Sequence, residues 1–184
     1  MANFEYTSEL FYQFFPRSKK ITDQLQDVVD AFQKEHVNFN TCDDKGNETF
    51  TSDRDSNKVL ACVAPRLKRL NFKVETSKKD KDKINVPVLW GVNGTQEKYF
   101  EADAWHAGNK IVIEVEAGRA YLNNQFLKDI FQACVMEDTD YLVLAVRKIY
   151  NNSPDFKKIY NFLETLYASD RLVLPLKGIL LIGY

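Results

Sequence analysis

Near the middle of the chain, the run Lys110-Ile111-Val112-Ile113-Glu114-Val115-Glu116 is apolar until its end, where two carboxylates stand two residues apart. In an extended strand, residues two apart project to the same face. Glu114 and Glu116 therefore sit side by side, while Ile111, Ile113 and Val115 turn to the other layer. Like charges at a strand end repel, and partial burial raises the cost, so something cationic should compensate them. A third acid, Asp103, stands eleven residues before Glu114. Three hard oxygen ligands without a His or Cys cluster favour Mg2+, with Mn2+ as its substitute, over zinc. Such an ion polarises a phosphoryl oxygen and lowers the pKa of a bound water, two needs of phosphodiester hydrolysis. The competing reading is of surface acids matched by Lys and Arg. A third, a glycoside-hydrolysing dyad, needs carboxyls roughly 5–10 Å apart across a sugar cleft. Adjacent same-face positions on one strand do not easily flank a scissile bond.

The elements that must hold these acids follow from periodicity. Ile21, Leu25, Val28, Val29 and Phe32 recur at helical spacing and predict a helix over 22–35, capped by Thr22. A second helix is predicted over 56–70, with Val59, Leu60, Val63, Leu67 and Leu70 inward and Pro65 inside it, a potential kink. Residues 38–54 read as a loop or small irregular hairpin. The period then changes to two over 72–76, and 78–83 is a charged loop. Asn93-Gly94 between 86–92 and 95–105 is a hairpin signal, and a second hairpin turns through 106–109 into the acidic strand. A helix over 122–137 with Phe126, Leu127, Ile130, Phe131 and Cys134 inward follows. A buried strand over 141–147, a helix over 155–168 and an apolar strand over 178–182 complete the order α, α, β, β, β, β, α, β, α, β. With a turn of two or four loop residues at 107–108 or 106–109, Asp103 lies opposite Val112. Glu114 is then its diagonal neighbour on the same face, about 7–8 Å away at Cα. A three-residue loop would send Asp103 to the other face.

This order resembles the core of the PD-(D/E)XK, restriction-endonuclease-like nucleases. Glu101-Ala102-Asp103 followed by Glu114-Val115-Glu116 resembles their Asp…(Asp/Glu)-x-Lys signature, over about residues 56–147. Ala102 stands where Pro is usual, and Glu116 where Lys is usual, as in the Glu-x-Glu variant of some Type II restriction endonucleases. The resemblance implies a three-layer α/β/α fold with a central mixed sheet and an αβββαβ core. It implies one domain over 1–184, with a helical extension over 1–55 and an added helix and strand over 150–184. It further implies a Mg2+-dependent DNA endonuclease, with Asp103 and Glu114 on the metal and Glu116 orienting or deprotonating the attacking water. A relative that has lost catalysis and binds nucleic acid or a protein partner is the alternative, favoured by the absent Lys.

Supporting residues each carry two readings. Arg119 reaches a phosphate or balances the carboxylates. Asn123, Asn124 and Gln125 cap the next helix or contact the site. His106 reads as a turn residue, Trp105 as a core aromatic or a wall of the site, and Lys110 as too far along the strand to replace the Lys. Residues 53–83 hold 10 basic and 5 acidic side chains within a chain of net charge −1, so Arg66, Arg69 and neighbouring lysines either border a double-stranded DNA groove or are simply solvated. Palindromic cutting would call for a homodimer. The aromatic stretch Phe4, Tyr6, Leu10, Phe11, Tyr12, Phe14 and Phe15, or the C-terminal additions, would supply that interface or pack on the chain's own core.

Composition bounds the rest. With 184 residues, 45% hydrophobic, 13% aromatic, 7 Gly and 5 Pro, the chain reads as one globular domain rather than a disordered or low-complexity one. Cys42, Cys62 and Cys134 form no CxxC pair and leave one over, against a zinc knuckle or disulfide framework and in favour of a reducing cytoplasm. No basic leader and no apolar run of about 18 residues point to secretion or a membrane span. The sequons at Asn47, Asn93 and Asn151 then carry no glycosylation meaning.

Overall fold

The computed structural model describes residues 9–39, 56–77 and 79–184. Phe4, Tyr6, Cys42, Asn47, Lys78 and most of the expected 38–54 loop lie outside the described residues. Eight strands are described: β1 (Phe11–Phe15), β2 (Lys73–Val74), β3 (Ile84–Trp90), β4 (Gln96–Ala102), β5 (Ala104–His106), β6 (Ile111–Glu116), β7 (Tyr141–Val146) and β8 (Gly178–Gly183). Four α-helices accompany them: α1 (Asp23–Glu35), α2 (Ser56–Arg69), α3 (Gln125–Val135) and α4 (Asp155–Ser169). The protein is mixed α/β. Six strands form one mixed sheet in the order β1-β8-β7-β6-β5-β2, and β3 with β4 forms a separate two-stranded ribbon.

Strands β6, β7 and β8 are parallel, and β1, β5 and β2 run antiparallel to their neighbours. Parallel strands need a crossover between them, and α3 and α4 supply it. The central strands are covered on both faces, which is why 111–115, 142–146 and 179–182 read as nearly continuous apolar runs. One face buries Ile111, Ile113, Val115, Val143, Ala145, Leu180 and Ile182 against α1 and α2. The other buries Val112, Leu142, Leu144, Val146, Ile179 and Leu181 against α3, α4 and the β3–β4 ribbon. Helix α1 starts as its sequence dictates, with Thr22 Oγ1 accepting from Leu25 N at 3.3 Å and Leu25, Val28, Val29 and Phe32 buried. Pro65 lies inside α2.

Three elements depart from the expected order. Residues 11–15 form the edge strand β1 against β8, from Phe11 opposite Gly183 to Phe15 opposite Ile179, so the stretch does pack on its own core. The strand over 72–76 shrinks to β2, two residues long. The run over 95–105 divides at Asp103: β4 belongs to the ribbon and β5 to the main sheet. The Asn93-Gly94 hairpin forms as expected, with Asn93 and Gly94 at φ of 60° and 72°.

The β1–β8 contact leaves no room for a side chain at Gly178. A Cβ there would lie 2.3 Å from Phe14 Cζ and 2.6 Å from the Phe15 carbonyl oxygen. Gly178→Ala should therefore cost about 1–3 kcal/mol, the usual range for overpacking. Thermal denaturation by circular dichroism is expected to show a melting temperature several degrees lower. An unchanged value would mean that β1 does not sit here.

Candidate active site

Asp103 is held at the seam between ribbon and sheet. Its backbone carbonyl accepts from Glu75 N at 2.8 Å, and its side-chain Oδ2 accepts from Val115 N at 2.7 Å. The register differs from the expectation by two residues. Trp105, not Asp103, pairs with Val112, and Ala104 pairs with Ile113. Continuing by one residue sets Asp103 directly beside Glu114 rather than diagonal to it. The reason is the turn, a four-residue loop over 107–110 rather than one centred on Gly108. Lys110 N donates to the Ala107 carbonyl, and Lys110, not a glycine, takes the left-handed conformation at φ 57°. The even loop length preserves the face, so Asp103 and Glu114 still share it.

Glu114 and Glu116 leave β6 toward the α3 side, and α3 brings a fourth acid that the sequence reading missed. Phe126, Asp129, Ile130 and Ala133 are the buried stripe of α3, whereas Phe131 is 60% exposed. Of the expected stripe, Phe126 and Ile130 are buried and Leu127 and Cys134 pack half-buried against the same core, while Phe131 turns out and Asp129 turns in to 3% exposure. The signal was present as an i, i+3, i+4, i+7 spacing with an acid among its members.

The acids open on one cleft of about 270 Å3. Glu75 follows β2, Lys83 and Glu101 come from the ribbon, Asp103 from the seam, Glu114 and Glu116 from β6, and Gln125, Lys128, Asp129 and Gln132 from α3. Six carboxyls thus meet two ammonium groups. Lys83 is engaged by Glu101 at 2.7 Å and Glu75 at 3.7 Å. Burial pushes Asp103 up to about 6, against the pull of the Val115 N–H and with a further push from Glu75 and Asp129. Burial, then the Asp103 charge, holds Glu114 well above the carboxylate range. Burial and Asp129 raise Glu116 to about 8, and burial raises Asp129 to about 6. Asp129 raises Glu116, whereas Lys128, Glu116 and Gln125 draw Asp129 back down against its burial. Four carboxyls that resist ionisation together are a mutually repelling cluster.

The donor set fits a hard divalent ion, since every candidate ligand is an oxygen and Asp129 Oδ2 is buried with no hydrogen-bond donor. Among the described residues no three His, Cys, Asp or Glu side chains already stand as a metal-ligand group, so the acids share a cleft without closing on one point.

The other named residues divide. Gln125 lines the cleft and its Nε2 donates to Asp129 Oδ1 at 3.3 Å. Arg119, Asn123, Arg66 and Arg69 are not among the lining residues. Arg66 pairs with Glu35, and Arg69 is exposed near the end of α2. Asn123 and Asn124 do not cap α3 by their side chains. They take φ of 66° and 55°, and α3 begins only at Gln125. Their amides tolerate the left-handed region that the tight strand-to-helix turn demands, and that requirement prevailed over capping. Arg119 in the same turn has φ 63°. His106 Nδ1 accepts from Asn109 N at 2.9 Å, the turn role expected of it, and Lys110 pairs with Asp138 at the far end of β6. Trp105 packs in the core under Lys73 rather than walling the cleft. Among the described residues no helix is long and apolar enough to cross a membrane. No protein-family model matches the chain, and no curated protein matches it.

Proposed function

We propose that the chain is a divalent-metal-dependent endonuclease hydrolysing double-stranded DNA phosphodiesters, with a restriction-endonuclease-like fold of the Glu-x-Glu type. The observation that carries this reading is the meeting of Asp103, Glu114 and Glu116 in one cleft at the end of the central parallel strand. Asp103 and Glu114 would hold Mg2+ or Mn2+, which supplies charge on a phosphoryl oxygen and a more acidic water. The protein's own groups do the rest. The Val115 N–H fixes the Asp103 carboxyl, so its free oxygen faces the cleft in one orientation. Glu116, which burial and Asp129 push up to about 8, would accept a proton from water once a bound cation lowers it into its ionised form. Lys128 gives the cleft a positive rim on which a backbone phosphate can rest, a role that Lys83, tied to two glutamates, does not share. Two copies acting together would be needed to cut both strands of a palindrome.

Supercoiled plasmid incubated with the purified chain is expected to be nicked or linearised with Mg2+ or Mn2+ and untouched with a chelator. No cleavage of double-stranded DNA, single-stranded DNA or RNA with either ion, together with no heat of metal binding, would overturn the reading. It would favour a catalytically silent binding fold, the alternative to which Glu116 in place of Lys points.

A further inference from the structure

We infer that Tyr184 is a positioning residue for Glu116, holding the end of β6 from the face of the sheet opposite the cleft so that the Glu116 carboxyl keeps one direction toward α3. Tyr184 follows β8, is 0% exposed, and its hydroxyl donates to the Glu116 backbone carbonyl at 2.7 Å. The side chain thus spans β7, the strand between β8 and β6. Its ring lies in the core that the sheet shares with α1 and α2, edge-on to Phe39 at 5.6 Å. The backbone of Tyr184 is itself fixed. Its N–H donates to the Val146 carbonyl at 3.0 Å and its carbonyl accepts from Lys148 N at 2.8 Å, continuing the β7–β8 ladder past Gly183. A close-packed ring on an anchored backbone leaves its hydroxyl little freedom.

Glu116 stands where such a hold matters. It is the last residue of β6, paired with Val146 at the end of the parallel ladder, and beyond it the chain leaves the sheet through Ala117 and Gly118. Strand ends are prone to fray, and a backbone shift there swings the carboxyl with it. Glu116 also carries the repulsion of Asp129 and Asp103. A neutral hydroxyl acting from the far face opposes that displacement without adding charge to the cleft. The same turn is held at a second point. A Cβ on Gly118 would lie 2.3 Å from Tyr150 Cε2, so the Tyr150 ring, 4% exposed, rests directly on the Gly118 backbone. Both tyrosines come from residues 150–184, outside the stretch that carries the nuclease resemblance. The position at which the chain departs from the usual Lys is therefore supported by an addition to the core.

The role in catalysis rests on the nuclease reading, whereas the contact itself can be followed without cleavage. Tyr184→Phe removes the hydroxyl and keeps the ring. In plasmid cleavage with Mg2+ it is expected to lower kcat about 10–100-fold, the usual cost of losing a group that orients a site ligand, with KM for DNA unchanged. A double-mutant cycle separates positioning from general support. Added to Glu116→Gln, Tyr184→Phe should cost at most about twofold further, measured in single turnovers, because the group it orients is already gone. Full additivity would overturn the inference. NMR of protein labelled at the glutamate carbonyl and carboxyl carbons supplies the readout free of catalysis. The Glu116 resonances, identified by their loss in Glu116→Gln, should both move in Tyr184→Phe, while those of the distant Glu164 stay in place. An unmoved Glu116 carboxyl would overturn the inference. Circular dichroism should show Tyr184→Phe folded at the assay temperature, and an unfolded variant would make the hydroxyl a structural group instead. If no nucleic acid is cut but the carboxyl resonance moves, the nuclease reading fails and the positioning stands. If DNA is cut and Tyr184→Phe matches the unaltered chain in kcat, the reverse holds.

Discussion

Asp103→Ala and Glu114→Ala are each expected to lower metal-dependent DNA cleavage on the order of 10³-fold or more, about 4 kcal/mol of transition-state stabilisation, with the fold retained. The two variants differ in their structural side effects. Glu114 faces the cleft, where burial and then the Asp103 charge raise its carboxyl, so its removal relieves both costs. Asp103 also accepts the Val115 N–H, and Ala would leave that β6 donor without its partner, a cost of about 1–3 kcal/mol if water cannot reach it. Asp103→Asn separates the effects, since an amide oxygen still accepts from Val115 while the charge is gone. Cleavage by the Asn variant within tenfold of the unaltered chain, at matched Mg2+, would remove Asp103 from the metal-binding role. Circular dichroism and melting curves supply the control for folding.

The second large effect concerns stability without metal. Carboxyls in an unfolded chain titrate at about 3.9–4.3, whereas in the fold Asp103 and Asp129 are pushed up to about 6 and Glu116 to about 8. A group whose folded pKa is raised binds more protons in the fold than out of it. Its contribution is complete below the unfolded pKa and is lost as pH rises through the folded one. Chelated protein is therefore expected to become less stable from about pH 4.5 upward, with the decline continuing through 6 to 8. The loss should amount to a few kcal/mol, roughly 2–4 °C of melting temperature for each in a chain of this size. Mg2+ or Mn2+ should reverse the trend, restoring about 2.7 kcal/mol at a hundredfold excess over Kd. Binding should also strengthen with pH, because the ligands release protons to take the ion. Melting temperatures measured across that pH range, with chelator and with Mg2+, check both statements. A flat or rising chelated profile, unmoved by the ion, would sink the idea of an uncompensated acid cluster.

What could be read from the sequence follows from the range of the forces involved. Thr22 capping α1, the Asn93-Gly94 turn and the same-face pair Glu114 and Glu116 are local matters of side-chain chemistry and period, and each appears where expected. The face shared by Asp103 and Glu114 was legible because side chains alternate strictly along a strand. Their direct pairing was not, because it depends on Lys110 adopting a conformation usually left to glycine. Strand β1 was hidden because its partner lies at the opposite end of the chain. Asp129 was hidden because pattern reading sends acids outward, and the large apolar Phe131 drew the predicted stripe toward solvent.

Strand β1 also bears on how the molecule assembles. Among the described residues its only partner in the sheet is β8, more than 160 residues further along. Closing so long a loop is entropically slow, and during synthesis from the N-terminus Phe11, Phe14 and Phe15 must wait without their sheet neighbour. An aromatic edge segment left waiting is a template for pairing with another chain, so this pairing should set both the late step of folding and the route to aggregation. Residues 178–183 then act as a latch. Until they are in place, the sheet on which the cleft is built has an open side beyond β7, and a chain interrupted before them forfeits β1 together with β8.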